Sequence, residues 1–461
     1  MPITEAYIVP HPPLIVPEIG GGQELKIRKT IDAYEKIAAR IAEIKPDTIV
    51  LTTPHSVMYS DYIHISPGRG AGGNFGEFGH AQVGMEVEYD TQFVQQLSQA
   101  AEKNNIHAGT LGEKNRNLDH GTMVPLHFVN KYYKNYKLVR ISISGLAFTD
   151  HYRFGKCIAK VAEESGKNIV FIASGDLSHM LKDEGPYGYR EEGPVFDREV
   201  TAAMKYGDFL KFLKFDEEFC ESAAECGLRS FITMAGALDG KSVEPKLLSY
   251  EGPFGVGYAV ASFKVLGENH ERHFDEVHKK NQQEMVEELK KEEDSFVRLA
   301  RKTLESYVLS HKKIRKTEVV DEELLERKAG VFVSLKLDGQ LRGCIGTIAP
   351  TTGCIADEII QNAISAGAED PRFYPVSEEE LPLLVYSVDV LGEPEPIESM
   401  DELDPVRYGV IVTKGSRRGL LLPNLEGIDT SQQQVSIALK KAGISEDENY
   451  SMERFEVVRH K

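Results

Sequence analysis

The chain has 461 residues, 41% of them hydrophobic and 27% charged, with a formal net charge of -18. Its length predicts two or three domains, its composition excludes a disordered chain, and its acidity argues against nonspecific binding to nucleic acid or anionic membranes. No apolar run reaches spanning length, the start lacks a basic, apolar signal segment, and five cysteines without a CxxC pair oppose a disulfide framework or zinc ribbon, so a cytoplasmic protein is expected.

In chain order, residues 6–9 and 48–53 are short β-rich runs closed by turn residues. Between them, 23–44 carries Leu25, Ile27, Ile31, Tyr34, Ile37, Ala38 and Ile41 at helical spacing. The glycine-rich stretch 68–79 reads as a loop whose mobility suits a lid. Residues 137–143 and 168–173 are again short and β-branched, 155–164 suits a helix, and 224–238 reads as one apolar helix. Strands alternating with helices predict an α/β domain with a central, mostly parallel sheet. Fourteen of the 24 residues in 271–294 are charged, which predicts a solvated helix between domains. The expected division is a first domain over 1–267, a charged helical linker over 268–294 and a second domain over 295–461. Helical spacing resumes at Phe296, Leu299, Ala300, Leu304 and Val308, and strands are expected at 331–337, 383–390 and 409–413.

Four histidines follow expected strands or turns: His11 in PHPPL, His55 in TTPH, His120 in LDHG and His179 in SGDLSH. Ligands gather at the carboxyl ends of strands in open α/β sheets. A proline before His11 and before His55 stiffens each backbone. Two neutral imidazoles and one carboxylate form the set that holds non-heme Fe(II) with positions left open. Glu225 is the expected carboxylate, since an unpaired acid entering an apolar helix is costly to bury and a cation removes that cost. Cys226, its neighbour, would give a softer set that favours zinc or copper. His179 is placed to act as a general base, and Gly121 lets a ligand approach His120. Asp119 and Asp176 can orient an imidazole, or cap the helices expected after them.

PHPPL, TTPH, LDHG, SGDLSH and AECG, in that order, resemble the LigB-type class III extradiol dioxygenases and the related MEMO family over residues 3–265. The resemblance implies an α/β sandwich, with His11, His55 and Glu225 matching metal ligands, His179 the acid–base histidine and His120 the substrate-side histidine. MEMO proteins carry a cysteine near the position of Cys226. The implied reaction is ring opening of a small catecholic substrate by O2 on Fe(II), with zinc or copper as alternatives.

In the second domain, two strands flank Asp338-Gly339, a good hairpin turn. LRGCIG places Arg342 close to Cys344, and a thiol beside an arginine can become nucleophilic; a small buried cysteine is the plainer reading. LRGCIG, AEDPRF and GLLLP resemble the AMMECR-type family over 295–461, which implies an α+β domain. Such domains occur with MEMO-like and radical SAM proteins in the AmmeMemoRadiSam set, so the resemblance implies a radical SAM partner. An oligomer is compatible with all of this.

Overall fold

The computed structural model describes residues 2–114, 117–319, 321–425 and 427–461. They form two compact units that divide between His278 and Lys279.

The first unit is built on a six-stranded sheet. Its strands are β1 (Ile3–Val9), β2 (Thr48–Thr53), β3 (Lys137–Ser142), β4 (Ile169–Ser174), β5 (Lys241–Glu251) and β6 (Tyr258–Glu268). They lie in the order β3-β2-β4-β1-β6-β5. The first four run parallel, and β6 pairs antiparallel with both β1 and β5. Thr48–Thr53 and Ile169–Ser174 are buried at every position, as strands covered on both faces must be. Alternate side chains sort into two cores. Ile8, Val50 and Phe171 pack with helices α3 (Phe148–Ser165) and α4 (Leu228–Ala237). Val9, Leu51 and Ile172 pack with α1 (Arg28–Ile44) and α2 (His120–Tyr132).

Two local expectations are corrected, and a third gains detail. The stretch 68–79 is not a loop: Gly70–Phe75 and His80–Glu88 form a hairpin. Its glycines mark close approach rather than mobility; a Cβ on Gly73 would stand 2.9 Å from Met123 Sδ. The stretch 224–238 is not one helix. Glu217–Ala223 ends at Ala224, whose φ is 49°, and α4 starts only at Leu228, so Glu225 and Cys226 lie in a loop. The charged run does form a helix, α5 (Phe274–Glu292), but it crosses the division between the units, and His278 and Val286 are buried.

The second unit is α+β. Strands β7 (Val331–Leu337), β8 (Gln340–Gly346), β9 (Val385–Leu391), β10 (Tyr408–Lys414), β11 (Arg417–Leu421) and β12 (Ser451–His460) form an antiparallel sheet in the order β8-β7-β9-β12-β10-β11. Asp338 and Gly339 have φ of 51° and 80°, the left-handed pair that a tight hairpin between β7 and β8 needs. Val331, Val333, Leu335 and Val388 turn toward α6 (Ser295–Ser310) and α7 (Ile355–Ala368). Val410, Val412 and Leu421 pack against α8 (Ser431–Ala442). Among the described residues no helix is long and apolar enough to cross a membrane.

Candidate metal centre

β1 ends at Val9 and β2 at Thr53, and a Pro-His pair follows each. The two strands flank β4, so both imidazoles emerge at one end of the sheet. Tyr34 of α1 donates its hydroxyl proton to the carbonyl of Pro10 and pins the turn before His11. His11 Nε2 and His55 Nε2 stand 2.9 Å apart. His120, at the start of α2, stacks on His55 with ring centres 4.2 Å apart, and lies 5.4 Å from His11. Gly121 makes that approach feasible, since a Cβ there would stand 2.4 Å from Thr53 Oγ1.

The tautomer of His11 follows from its hydrogen bonds. Ser174 Oγ donates to the Gly121 carbonyl at 2.6 Å, so it must accept from His11 Nδ1 at 3.0 Å. His11 Nε2 therefore carries a lone pair aimed at His55. Such a pair requires a proton on His55 or a cation between the rings. Ser174→Ala is expected to weaken metal binding by ~10–100-fold, the usual effect of losing a group that orients a ligand histidine. Competition with a chromophoric chelator measures it, and unchanged affinity would refute the tautomer assignment.

The third donor nearby is sulfur. Donor atoms of His11, His55 and Cys226 all lie within 4.8 Å of one another, and Cys226 Sγ is 3.7 Å from His11 Nε2. Glu225, expected here, does something else: its carboxylate accepts the Leu228 N–H at 2.6 Å at the start of α4. Burial raises the Glu225 carboxyl to about 7. The reason for the exchange is the loop. Gly175, just after β4, and Gly227 pack backbone to backbone; a Cβ on Gly175 would lie 2.1 Å from the Gly227 Cα. This contact delivers Cys226 to the Asp176 N–H, which donates to Sγ at 3.3 Å.

The donor set fits a divalent ion. Imidazole nitrogens bound at ~2.1 Å lie ~3.0 Å apart at right angles, and a thiolate at ~2.3 Å lies ~3.6 Å from one at a tetrahedral angle. Burial lowers the pKa of all four histidines, His55 to about 4, so each ring is neutral near pH 7 and free to ligate or accept a proton. Burial, then Asp176 and Glu225, push the Cys226 thiol up, so a bound cation must displace its proton.

Two aspartates divide the roles foreseen for them. Asp119 caps α2 through the Thr122 N–H and accepts from Thr53 Oγ1. No helix follows Asp176 directly. It accepts the His11 N–H at 2.7 Å, its Oδ2 stands 4.0 Å from His11 Nε2, and burial raises its carboxyl to about 7.

His179 follows Ser178, whose N–H donates to Asp197 and whose hydroxyl donates to the Ala223 carbonyl. Its ring meets Tyr187 edge-on at 5.1 Å. Asp197, missed in the sequence, anchors this loop together with Tyr250. No motif marked it; its signal was only an acid inside an amphipathic helix, Glu192–Tyr206. Burial raises its carboxyl to about 7, against the hydrogen bonds from Tyr250 and Ser178. Unfolded, the group titrates near ~3.9. Between these values the folded state holds a proton that the unfolded state lacks, so stability falls as pH rises, by up to ~1.4 kcal/mol per unit for this group. Asp176 and Glu225 act in the same direction. Asp197→Asn is expected to make the slope shallower by that share. Urea unfolding of metal-stripped protein at pH 5 and pH 7 checks it, and an unchanged slope would overturn it.

A cavity of about 570 Å³ opens beside the rings, lined by His55, His120, Asp119, Phe78 and Met123 among others. Its size suits a small molecule.

In the second unit, Arg342 does not attend Cys344. Its Nε and Nη2 donate to Glu380, at 2.6 and 3.1 Å. The guanidinium at Cys344 belongs to Arg372 of the AEDPRF motif, which donates to the Cys344 carbonyl at 3.1 Å and also binds Asp370.

The model of the catalytic LigB subunit of aromatic ring-opening dioxygenase matches residues 5–261, and the AMMECR1 model matches 297–460. Protein CA_C1420 of Clostridium acetobutylicum is 45% identical across the whole of both chains. A Thermotoga maritima protein is 53% identical over 36% of this chain and 97% of its own. The crystal structure of the Pyrococcus horikoshii protein PH0010 is 35% identical, covering 36% of this chain and 88% of that one, with a TM-score of 0.33. The chain therefore belongs to the LigB family of ring-opening dioxygenase catalytic subunits, with an AMMECR1 domain following the LigB domain.

Proposed function

We propose that the first unit holds one divalent ion on His11, His55 and Cys226, and that this LigB-family chain is a metal-dependent, non-dioxygenase component of a modification system. One observation carries the reading: a cysteine sulfur, not the Glu225 carboxylate, completes the compact donor group. Thiolate and imidazole favour copper or zinc over Fe(II). A bound ion there would act as a Lewis acid on an oxygen-bearing substrate. The chain's own residues supply the rest. His120 and His179, both kept neutral by burial, accept or return a proton. Phe78 and Met123 give the cavity an apolar wall for a small, aromatic substrate. The family resemblance supports a radical SAM protein as partner.

A second reading, Fe(II)-dependent ring opening of a catechol with O2, is favoured by family membership and by the buried Asp176 carboxylate 4.0 Å from His11 Nε2. Anaerobic purification, elemental analysis and a catechol panel separate the two. About one copper or zinc per chain with no yellow ring-fission product is expected. Iron with yellow product would establish the second reading instead. Failure to take up any of the three metals would end both.

A further inference from the structure

The second unit contains a larger cavity, of about 1030 Å³. On β7, Val331, Val333 and Leu335 face the helix-covered core, so Phe332, Ser334 and Lys336 face the other way. Ser334 pairs with Cys344 of β8 and with Ser387 of β9, so these residues share that open face. Phe332 and Leu422 pack against the small cluster that contains Leu420, and all three line the cavity. The result is a chamber with an apolar wall beside the thiol, where Ser334 Oγ donates to Cys344 Sγ at 3.2 Å. The backbone around the thiol is tied down: the Cys344 N–H donates to Asp370, and the Cys344 carbonyl accepts from Arg372.

The charge is uneven. Lys336, Arg372, Arg418, Lys441, Arg459 and Lys461 border the cavity, against three side-chain carboxylates. Most of these groups are already paired, Glu293 with Arg301, Asp389 with Arg459, and Arg372 and Arg418 with Asp370 and Glu453, which leaves Lys336 and Lys441 facing Glu292, with Lys461 at the chain's terminal carboxylate. In a chain of net charge -18, two lysines without a carboxylate partner among the described residues, on the rim of an apolar cavity, can hold an anion.

The geometry points to a binding site in the second unit for a small organic anion, with its apolar body on Phe332, Leu420 and Leu422 beside the Cys344 thiol and its single terminal oxyanion among the cations. A carboxylate and a phosphate share that chemistry. The inference rests on the second unit alone, so loss of the metal centre would leave it standing.

The test uses the full chain and anilinonaphthalene sulfonate, an apolar ring system bearing one oxyanion. Fluorescence titration is expected to saturate at one site per chain. Saturating probe is expected to slow carboxymethylation of Cys344, followed by peptide mass spectrometry, at least 5-fold, about 1 kcal/mol. The exposed double variant Arg418→Glu/Lys441→Glu is expected to bind at least 10-fold more weakly, while Lys302→Glu, outside the cavity, binds as the parent does. Displacement by benzoate or by phenyl phosphate then tells which oxyanion is preferred. Non-saturating fluorescence, unprotected Cys344, or binding indifferent to the double variant would each overturn the site.

Discussion

Cys226→Ala is expected to lower metal affinity by at least ~100-fold, beyond what loss of an outer, orienting partner costs, while Glu225→Gln leaves metal content unchanged. The two substitutions sit on adjacent residues of one loop, so a general disturbance of that loop would affect both. Sγ stands 3.7 Å from His11 Nε2, whereas the Glu225 carboxylate is spent on the Leu228 N–H. Gln keeps an oxygen that accepts the same N–H, so the start of α4 survives. It also removes an acid that burial holds near 7. Removal of the thiol leaves two imidazoles, too few to close a tetrahedral site. Cobalt(II) titration reads the difference directly, because a thiolate ligand gives a charge-transfer band in the near ultraviolet that imidazole alone does not. The band should persist in Glu225→Gln and vanish in Cys226→Ala. Cobalt bound without the band in the parent chain, or metal lost from Glu225→Gln, would return the third position to the carboxylate and with it the case for Fe(II), and a band that survives the loss of Cys226 would move the thiolate ligand to another cysteine.

Much of the centre was legible because strands end where side chains become available. His11 and His55 each follow a short β-rich run and a proline, and this local pattern alone places them at the sheet's carboxyl end. The strand periods at 48–53 and the apolar spacing of α1 are equally local, and they appear in the structure as read. What was not legible depends on contacts between distant segments. The sequence places Glu225 and its neighbour Cys226 together in one apolar helix over 224–238. There is no helix at those residues, because Ala224 adopts a left-handed conformation that ends the preceding one. That conformation is unusual for alanine, so nothing in the residue type announces it. Gly73 misled in the opposite direction. Glycines at 68–79 suggested a mobile loop, yet they allow a hairpin to lie against Leu118 and Met123. Asp119 and Asp176 look alike in sequence, each next to a small polar turn; only one precedes a helix. Arg342 and Arg372 show the same limit in the second unit. Proximity along the chain suggested the first, and the fold brings the second to Cys344.

Gly227→Ala is expected to destabilise the first unit by ~3 kcal/mol or more, the upper range for overpacking a well-filled interior, and to deplete the metal site at the same time. A Cβ on Gly227 would stand 2.4 Å from Phe231 Cζ and 3.0 Å from the Gly175 Cα. The ring of Phe231 is fully buried, so it has no open space to rotate into, and Gly175 is backbone, which has no rotamer to change. The conflict must be relieved by moving one loop away from the other. That movement separates Cys226 Sγ from the Asp176 N–H, now 3.3 Å away, and from His11 Nε2. Stability and metal affinity should therefore fall together in this variant. Gly166→Ala provides the contrast: its φ is 66°, no atom lies within 4 Å of the added carbon, and it ends α3 away from the centre. Its cost is backbone strain alone, ~1–2 kcal/mol, with metal affinity retained. Denaturant unfolding with parallel metal titration distinguishes the two. If Gly227→Ala binds metal as tightly as the parent, the two-glycine contact is not what presents the thiol.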